Sequence, residues 1–143
     1  YEAGDTLAPS IALGGFFLKT GCLLNGCCFG VPAPEGFILR TFFVSSTYAG
    51  SVFPETGLHP VQLYEALLWL IIFLFIQNII FNNKGKKILF LGLIYGAGRF
   101  FLEFLRYKPD ISWFSNHLPY LNALILIIIC LYLLLKNNTC EKN

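Results

Sequence analysis

In the stretch YGAGRFFLEFLR, Tyr95 to Arg106, charge interrupts an otherwise apolar run. Arg99 and Glu103 are the only charges between Ile88 and Leu105, and Arg106 follows directly. At about 100° per residue, Tyr95, Arg99, Glu103 and Arg106 fall near 0°, 40°, 80° and 20° on a helical wheel, a stripe less than a quarter-turn wide. Gly92, near 60°, leaves room on that side for a close neighbour or a ligand. An arginine deep in a membrane span costs roughly 2.5–3.5 kcal/mol on insertion scales, so the stripe must face a bundle interior or a polar cavity. One reading is self-neutralisation, with Arg99 and Glu103 as an i,i+4 pair and Arg106 snorkelling at the interface. The sharper reading is an anion site, because a guanidinium fork suits a phosphate and Glu103 can hold that fork in place. At such a depth the natural anion is a phospholipid headgroup.

Two other stretches carry groups that could join this site. LHPVQLYEALLW places His59 and Pro60 at the mouth of a helix, followed by Gln62, Tyr64 and Glu65. Pro60 suits a first helical turn, where its missing N–H costs nothing. Glu65 is explained equally well by the helix dipole as by function. LGGFFLKTGCLLNGCCFG combines Lys19 and Asn25 with Gly26, Gly30 and three cysteines, Cys22, Cys27 and Cys28. A lysine inside a span is expected to be functional or paired. No CxxC pair or nearby histidine supports zinc, so the three cysteines are expected to be small packing residues, and no metal site is expected.

The elements that must position these groups are membrane helices. The chain of 143 residues is 56% hydrophobic and 13% charged, with a mean hydropathy of +0.66. Soluble domains carry about twice that charge. Four apolar runs approach the ~20 residues needed to cross a bilayer: Thr6 to Leu24, Leu63 to Phe81, Ile88 to Leu105 and Leu118 to Leu135. The expected fold is therefore all-α and polytopic, about four transmembrane helices with a short extracytoplasmic segment, Asn25 to Pro60, between the first two. Within that segment FILRTFFVSS, Phe37 to Ser46, is rich enough in aromatic and β-branched residues for a short strand or hairpin. Lys84, Lys86 and Lys87, and the tail after Leu135, are expected to be cytoplasmic. A net charge of +2 gives no reason to expect nucleic acid. No signal peptide is read at the start.

With these motifs in view, the chain resembles the prolipoprotein diacylglyceryl transferases, bacterial enzymes of the cell (inner) membrane. HPVQLYE is similar to the family's His-Pro-x-Gln-Leu-Tyr-Glu motif, at His59, Pro60, Gln62, Leu63, Tyr64 and Glu65. YGAGRFFLEFLR resembles Tyr-Gly-x-x-Arg-Phe-x-x-Glu-x-x-Arg, and DTLAPSIALG resembles the Asp-x-x-Ala-Pro lead-in at Asp5, Ala8 and Pro9. The family signature matches in part, at Gly21, Asn25 and Gly30. Lys19 stands at its arginine, Cys22 at an asparagine, and GCCFG replaces its acidic portion.

The resemblance implies transfer of the diacylglyceryl group of phosphatidylglycerol to the lipobox cysteine of a prolipoprotein signal peptide, with glycerol phosphate leaving and no cofactor. It implies Arg99 and Glu103 as catalytic residues, with His59 as a secondary candidate. Lys19, Asn25, Gly30, Gln62, Tyr64, Glu65, Tyr95 and Arg106 would be phospholipid-binding. It also implies a seven-span enzyme whose His-Gly-Gly segment precedes the matched region, so residues 1–143 read as a single membrane domain from its C-terminal part. The alternative is a non-catalytic phospholipid-binding relative. A small transporter is a weaker rival, since Leu124 to Leu135 offers little polarity besides Tyr132.

Overall fold

The structure, a computed structural model, describes residues 2–78, 85–109 and 113–140. Among the described residues five α-helices follow in order: α1 Glu2–Asn25, α2 Tyr48–Val52, α3 Val61–Asn78, α4 Lys86–Leu102 and α5 Trp113–Cys140, with a 3₁₀ turn at Glu103–Leu105 after α4. Four of them, all but α2, are long and apolar enough to cross a membrane. They contain the four apolar runs of the sequence, except that the third run ends in the 3₁₀ turn Glu103–Leu105 beyond α4, and that residues 79–81 of the second run lie outside the described residues, as does Lys84.

Glycines set how closely the long helices approach. α1 packs chiefly on α3, and α4 lies between α3 and α5. Gly15 of α1 abuts the Trp69 ring of α3, and Gly98 of α4 abuts Leu68. Gly92 and Gly96, one turn apart, receive Cys130 and Ile127 of α5, the small-residue device by which membrane helices pack without a hydrophobic driving force. The room left by Gly92 is thus filled by a neighbouring helix. Ala8, Ala12, Ile72, Ile76, Leu91 and Trp69 form the buried seam between α1, α3 and α4. Leu67, Ile71, Leu74, Ile125 and Ile128 point outward, as lipid-facing residues would.

The helices alternate in direction. Asp5 near the start of α1 accepts hydrogen bonds from the N–H groups of Gly85 (2.6 Å) and Ile88 (3.0 Å) at the start of α4, so α1 and α4 run parallel. Lys19 near the end of α1 meets Glu65 near the start of α3, so α3 runs the other way. The segment between α1 and α3 caps this second end. Its small core, Phe29, Ala49 and Leu58, is packed by Phe43, Val52, Phe53 and Tyr107, with Phe29 and Tyr107 stacked at 5.3 Å.

The strand or hairpin expected over Phe37 to Ser46 does not form. Among the described residues there are only isolated bridges, Thr41 and Pro32 each to Leu58, and Gly30 to Arg106. Prolines at 32, 34 and 54 remove donors a ladder would need, and turns at residues 35–36 and 38–39 break the run.

Candidate functional site

Charge gathers at the capped end of the bundle. Glu65, fully buried, receives Lys19 Nζ at 2.7 Å, Arg106 Nη2 at 3.0 Å and Arg99 Nε at 3.5 Å. Arg99 Nη1 also pairs with Glu103, itself 2% exposed, and Glu103 receives Lys108 Nζ at 3.1 Å. Four helices or turns, α1, α3, α4 and the segment after it, each contribute a charge. Among the described residues, four cations face two carboxylates, a formal surplus of two positive charges. Burying ions costs several kcal/mol each unless they are well paired; here each carboxylate has at least two cationic partners.

The backbone explains how Arg106 reaches this centre. The α-helix stops at Leu102, the chain tightens into a 3₁₀ turn, and Arg106 is extended (φ −78°, ψ 131°). Its position is therefore not the wheel angle of a continuous helix. The interfacial, snorkelling role expected for Arg106 is corrected: its side chain is as enclosed as that of Arg99 (16% against 17% exposed) and is bound to Glu65. The Nε of Arg106 is buried and makes no hydrogen bond to the described residues. Glu65, which dipole compensation would have explained, is the hub of the cluster.

The remaining sequence-derived residues make other contacts. Tyr95 stacks on Trp69 with ring centroids 4.2 Å apart and lines a cavity of about 370 Å³ together with Gly96 and Arg99 of α4 and Pro119, Asn122 and Leu126 of α5. Its size falls in the range of small-molecule sites. Gln62 is fully buried and donates from Nε2 to the Cys27 carbonyl at 2.7 Å, while its Oε1 has no partner among the described residues. His59 and Tyr64 face each other, Nδ1 to Oη 3.4 Å, with the Phe37 ring 4.8 Å from the imidazole. The described contacts of His59 thus run to Tyr64 and Phe37 rather than to the ion cluster.

Gly30 is a place of close backbone approach. A Cβ there would lie 2.7 Å from the His59 and Leu105 carbonyl oxygens, and its N–H donates to His59 O at 3.0 Å. It joins the segment before α3 to the turn that delivers Arg106. Asn25 is exposed at the end of α1. Its side chain bonds the Cys27 thiol; burial acts to raise that thiol's pKa, but hydrogen bonds from Asn25, Cys22, Cys28 and the backbone outweigh it and leave it below the usual thiol value.

Asn122 escaped the sequence reading. It lies on an almost uninterrupted Leu and Ile span, is exposed, and has no hydrogen-bond partner among the described residues. An isolated carboxamide in a lipid-facing helix is itself a signal, since polar groups at that depth are costly and usually functional. The small-packing reading of the cysteines is also corrected: Cys28 is exposed and Cys22 and Cys27 are only half-buried, Cys22 near the end of α1 and the other two in the turn that follows it.

Comparison with known proteins identifies the family. The chain is 35% identical to a phosphatidylglycerol–prolipoprotein diacylglyceryl transferase of Clostridium tetani over 73% of its length, and 33% identical to transferase 2 of Clostridium perfringens over 76%. A Clostridium botulinum transferase is 34% identical over 74% of the chain. The matches cover about 41% of these longer relatives. No solved structure matches the chain. The family model described as prolipoprotein diacylglyceryl transferase matches residues 1–136. With its four membrane-length helices and a family match that spans nearly its whole length, this multi-pass chain belongs to the prolipoprotein diacylglyceryl transferases.

Proposed function

We propose that the protein moves the diacylglyceryl group of phosphatidylglycerol onto the lipobox cysteine of a prolipoprotein in a bacterial inner membrane. The observation that carries this reading is the surplus of two positive charges around Glu65 and Glu103, beside a cavity that opens along apolar helix walls. An amphiphile with an anionic head fits that combination. Arg99 and Arg106 would grip the phosphodiester, with Lys19 adding charge and Tyr95 and Asn122 hydrogen-bonding the head from the cavity side. Glu65 and Glu103 would hold the cations in place.

In the transfer, the lipobox sulfur bonds to the glyceryl carbon bearing the phosphate ester, and the bond from that carbon to oxygen breaks. Glycerol phosphate leaves with the electron pair, and the thiol proton passes to a base. Cations already positioned around the phosphate stabilise the charge that grows on the leaving oxygen. His59 touches Tyr64 and Phe37 instead of the ion cluster, so we give it no part in holding the phosphate.

The test is full-length protein in phosphatidylglycerol vesicles with a lipobox peptide, read by mass spectrometry of the lipidated product. Arg99→Gln should lower transfer at least a hundredfold, as loss of a transition-state donor does, with the fold retained. The fold should survive because Glu65 keeps Lys19 and Arg106, and Glu103 keeps Lys108. Restored activity in Arg99→Gln/Glu103→Gln would reduce the pair to a structural one. Lipid binding without any transfer by the unaltered protein would establish the non-catalytic alternative.

The orientation follows from the lysines at the opposite end. We propose that the α3–α4 connection and the C-terminus are cytoplasmic and that the capped end faces outward. A cysteine at Gly85 should be labelled only by reagents that reach the cytoplasm; labelling by an impermeant reagent from outside would reverse the assignment.

A further inference from the structure

The turn that ends α1 brings three thiols together. Gly26 (φ 66°) and Cys28 (φ 60°) both adopt left-handed backbone, and the Cys27 N–H donates to the Cys22 carbonyl at 3.2 Å. The chain therefore doubles back on its last helical turn. The Sγ atoms of Cys22, Cys27 and Cys28 all lie within 4.8 Å of one another, and none of the three is in a disulfide. Sequence spacing conceals this arrangement, because Cys22 and Cys27 are not a CxxC pair and meet only through the reversal.

We propose that Cys22, Cys27 and Cys28 form a site for a single thiophilic cation of the zinc class. Three thiolates about 2.3 Å from a tetrahedral ion lie roughly 3.8 Å apart, so closing the cluster needs a contraction of about 1 Å or less. Side-chain rotation at Cys28, exposed and in a turn, can supply it. The donor set selects the ion: three sulfurs and no carboxylate favour Zn²⁺, Cd²⁺ or Cu⁺ over Mg²⁺ or Ca²⁺. The exposed side at Cys28 leaves a fourth position for solvent or an exchangeable ligand. Each thiol gives up its proton to solvent as it binds, so occupancy rises with pH.

The site is placed to act on the charge cluster. Lys19, which holds Glu65, is one turn before Cys22 on α1, and the Cys27 carbonyl is the acceptor for buried Gln62 on α3. A bound cation would lock the turn that joins these two contacts. This proposal stands on thiol geometry and does not require the transfer reading.

Cd²⁺ titrated into the reduced full-length protein in detergent is the direct probe. One equivalent per chain should bind, with sulfur-to-cadmium charge-transfer absorption. Cys27→Ser should weaken binding at least tenfold, while Cys130→Ser, altering a thiol packed against Gly92, should leave it unchanged. Maleimide labelling of the unaltered protein, mapped by mass spectrometry, covers the case in which a variant misfolds. Cd²⁺ should protect Cys22, Cys27 and Cys28 together, and a chelator should restore labelling. Absence of charge transfer, binding indifferent to Cys27→Ser, protection confined to one thiol, or a Cys22–Cys27 disulfide in the isolated protein would each overturn the proposal.

Discussion

Asp5 and Glu65 are both carboxylates that tie one helix to another, at opposite ends of the bundle, and they do so with different partners. Asp5 accepts two backbone N–H groups at the start of α4. The N-cap of that helix is Gly85, with no capping side chain of its own, so a residue eighty positions away in sequence supplies the cap. Its donors are neutral and its carboxylate satisfies them. Glu65 is surrounded by cations that outnumber the carboxylates available. The Asp5 carboxylate is matched by two neutral donors, whereas the cluster around Glu65 and Glu103 has positive charge to spare. A carboxylate that completes a helix end explains a fold; one that gathers excess cations prepares a place for an anion.

Glu65→Gln should break the comparison most severely. The substitution keeps size and hydrogen-bonding capacity but leaves Lys19 and Arg106, which are 13% and 16% exposed, without their shared buried carboxylate. Removing one member of a buried ion cluster costs about 3–5 kcal/mol, and thermal unfolding in detergent should show a loss of that order. A change below about 1 kcal/mol would mean that the cations relax to solvent and that Glu65 is no hub.

At the other end, Asp5→Ala removes a cap, and caps contribute about 0.5–2 kcal/mol. Stability should fall by that smaller amount, with transfer per folded molecule unchanged. A drop in transfer larger than the drop in folded fraction would show that the two ends are coupled. Ala8, three residues on, is completely buried in the helix seam, so the Asp-x-x-Ala-Pro lead-in has a packing and capping account at these two positions.

The sequence displays the spans because lipid demands long apolar runs, and each of the four long helices covers most of one run read from it. It also displays the Arg99 stripe, because charge is conspicuous in such a background. It conceals what depends on chain reversals. Arg106 is misjudged by any wheel that continues the helix past Leu102. The convergence of Cys22 with Cys27 and Cys28 depends on left-handed residues at Gly26 and Cys28. The hairpin fails because strand-forming residues found single-residue partners instead of a ladder. Glu65 was visible but ambiguous: position near the start of a helix does not disclose how many cations will be delivered to it from α1, α4 and the turn beyond.

Lys19→Arg is the smallest change and the most discriminating for the surplus charge. Lys19 is 13% exposed and places Nζ 2.7 Å from Glu65 Oε2, an oxygen that Arg106 also contacts. A lysine there is a point charge largely engaged by the carboxylate. An arginine keeps that charge and adds a planar fork, so one edge can stay on Glu65 while another N–H turns toward an incoming phosphate. If the cluster binds an anionic headgroup, affinity for phosphatidylglycerol in nanodiscs should be held or modestly raised, with phosphatidylcholine as the neutral-headgroup control. The expected change is within a factor of ten, or about 1.4 kcal/mol, and favours the arginine. A tenfold weakening would mean that Lys19 serves only to fit the space beside Glu65, and the headgroup contact would then rest on Arg99 and Arg106 alone.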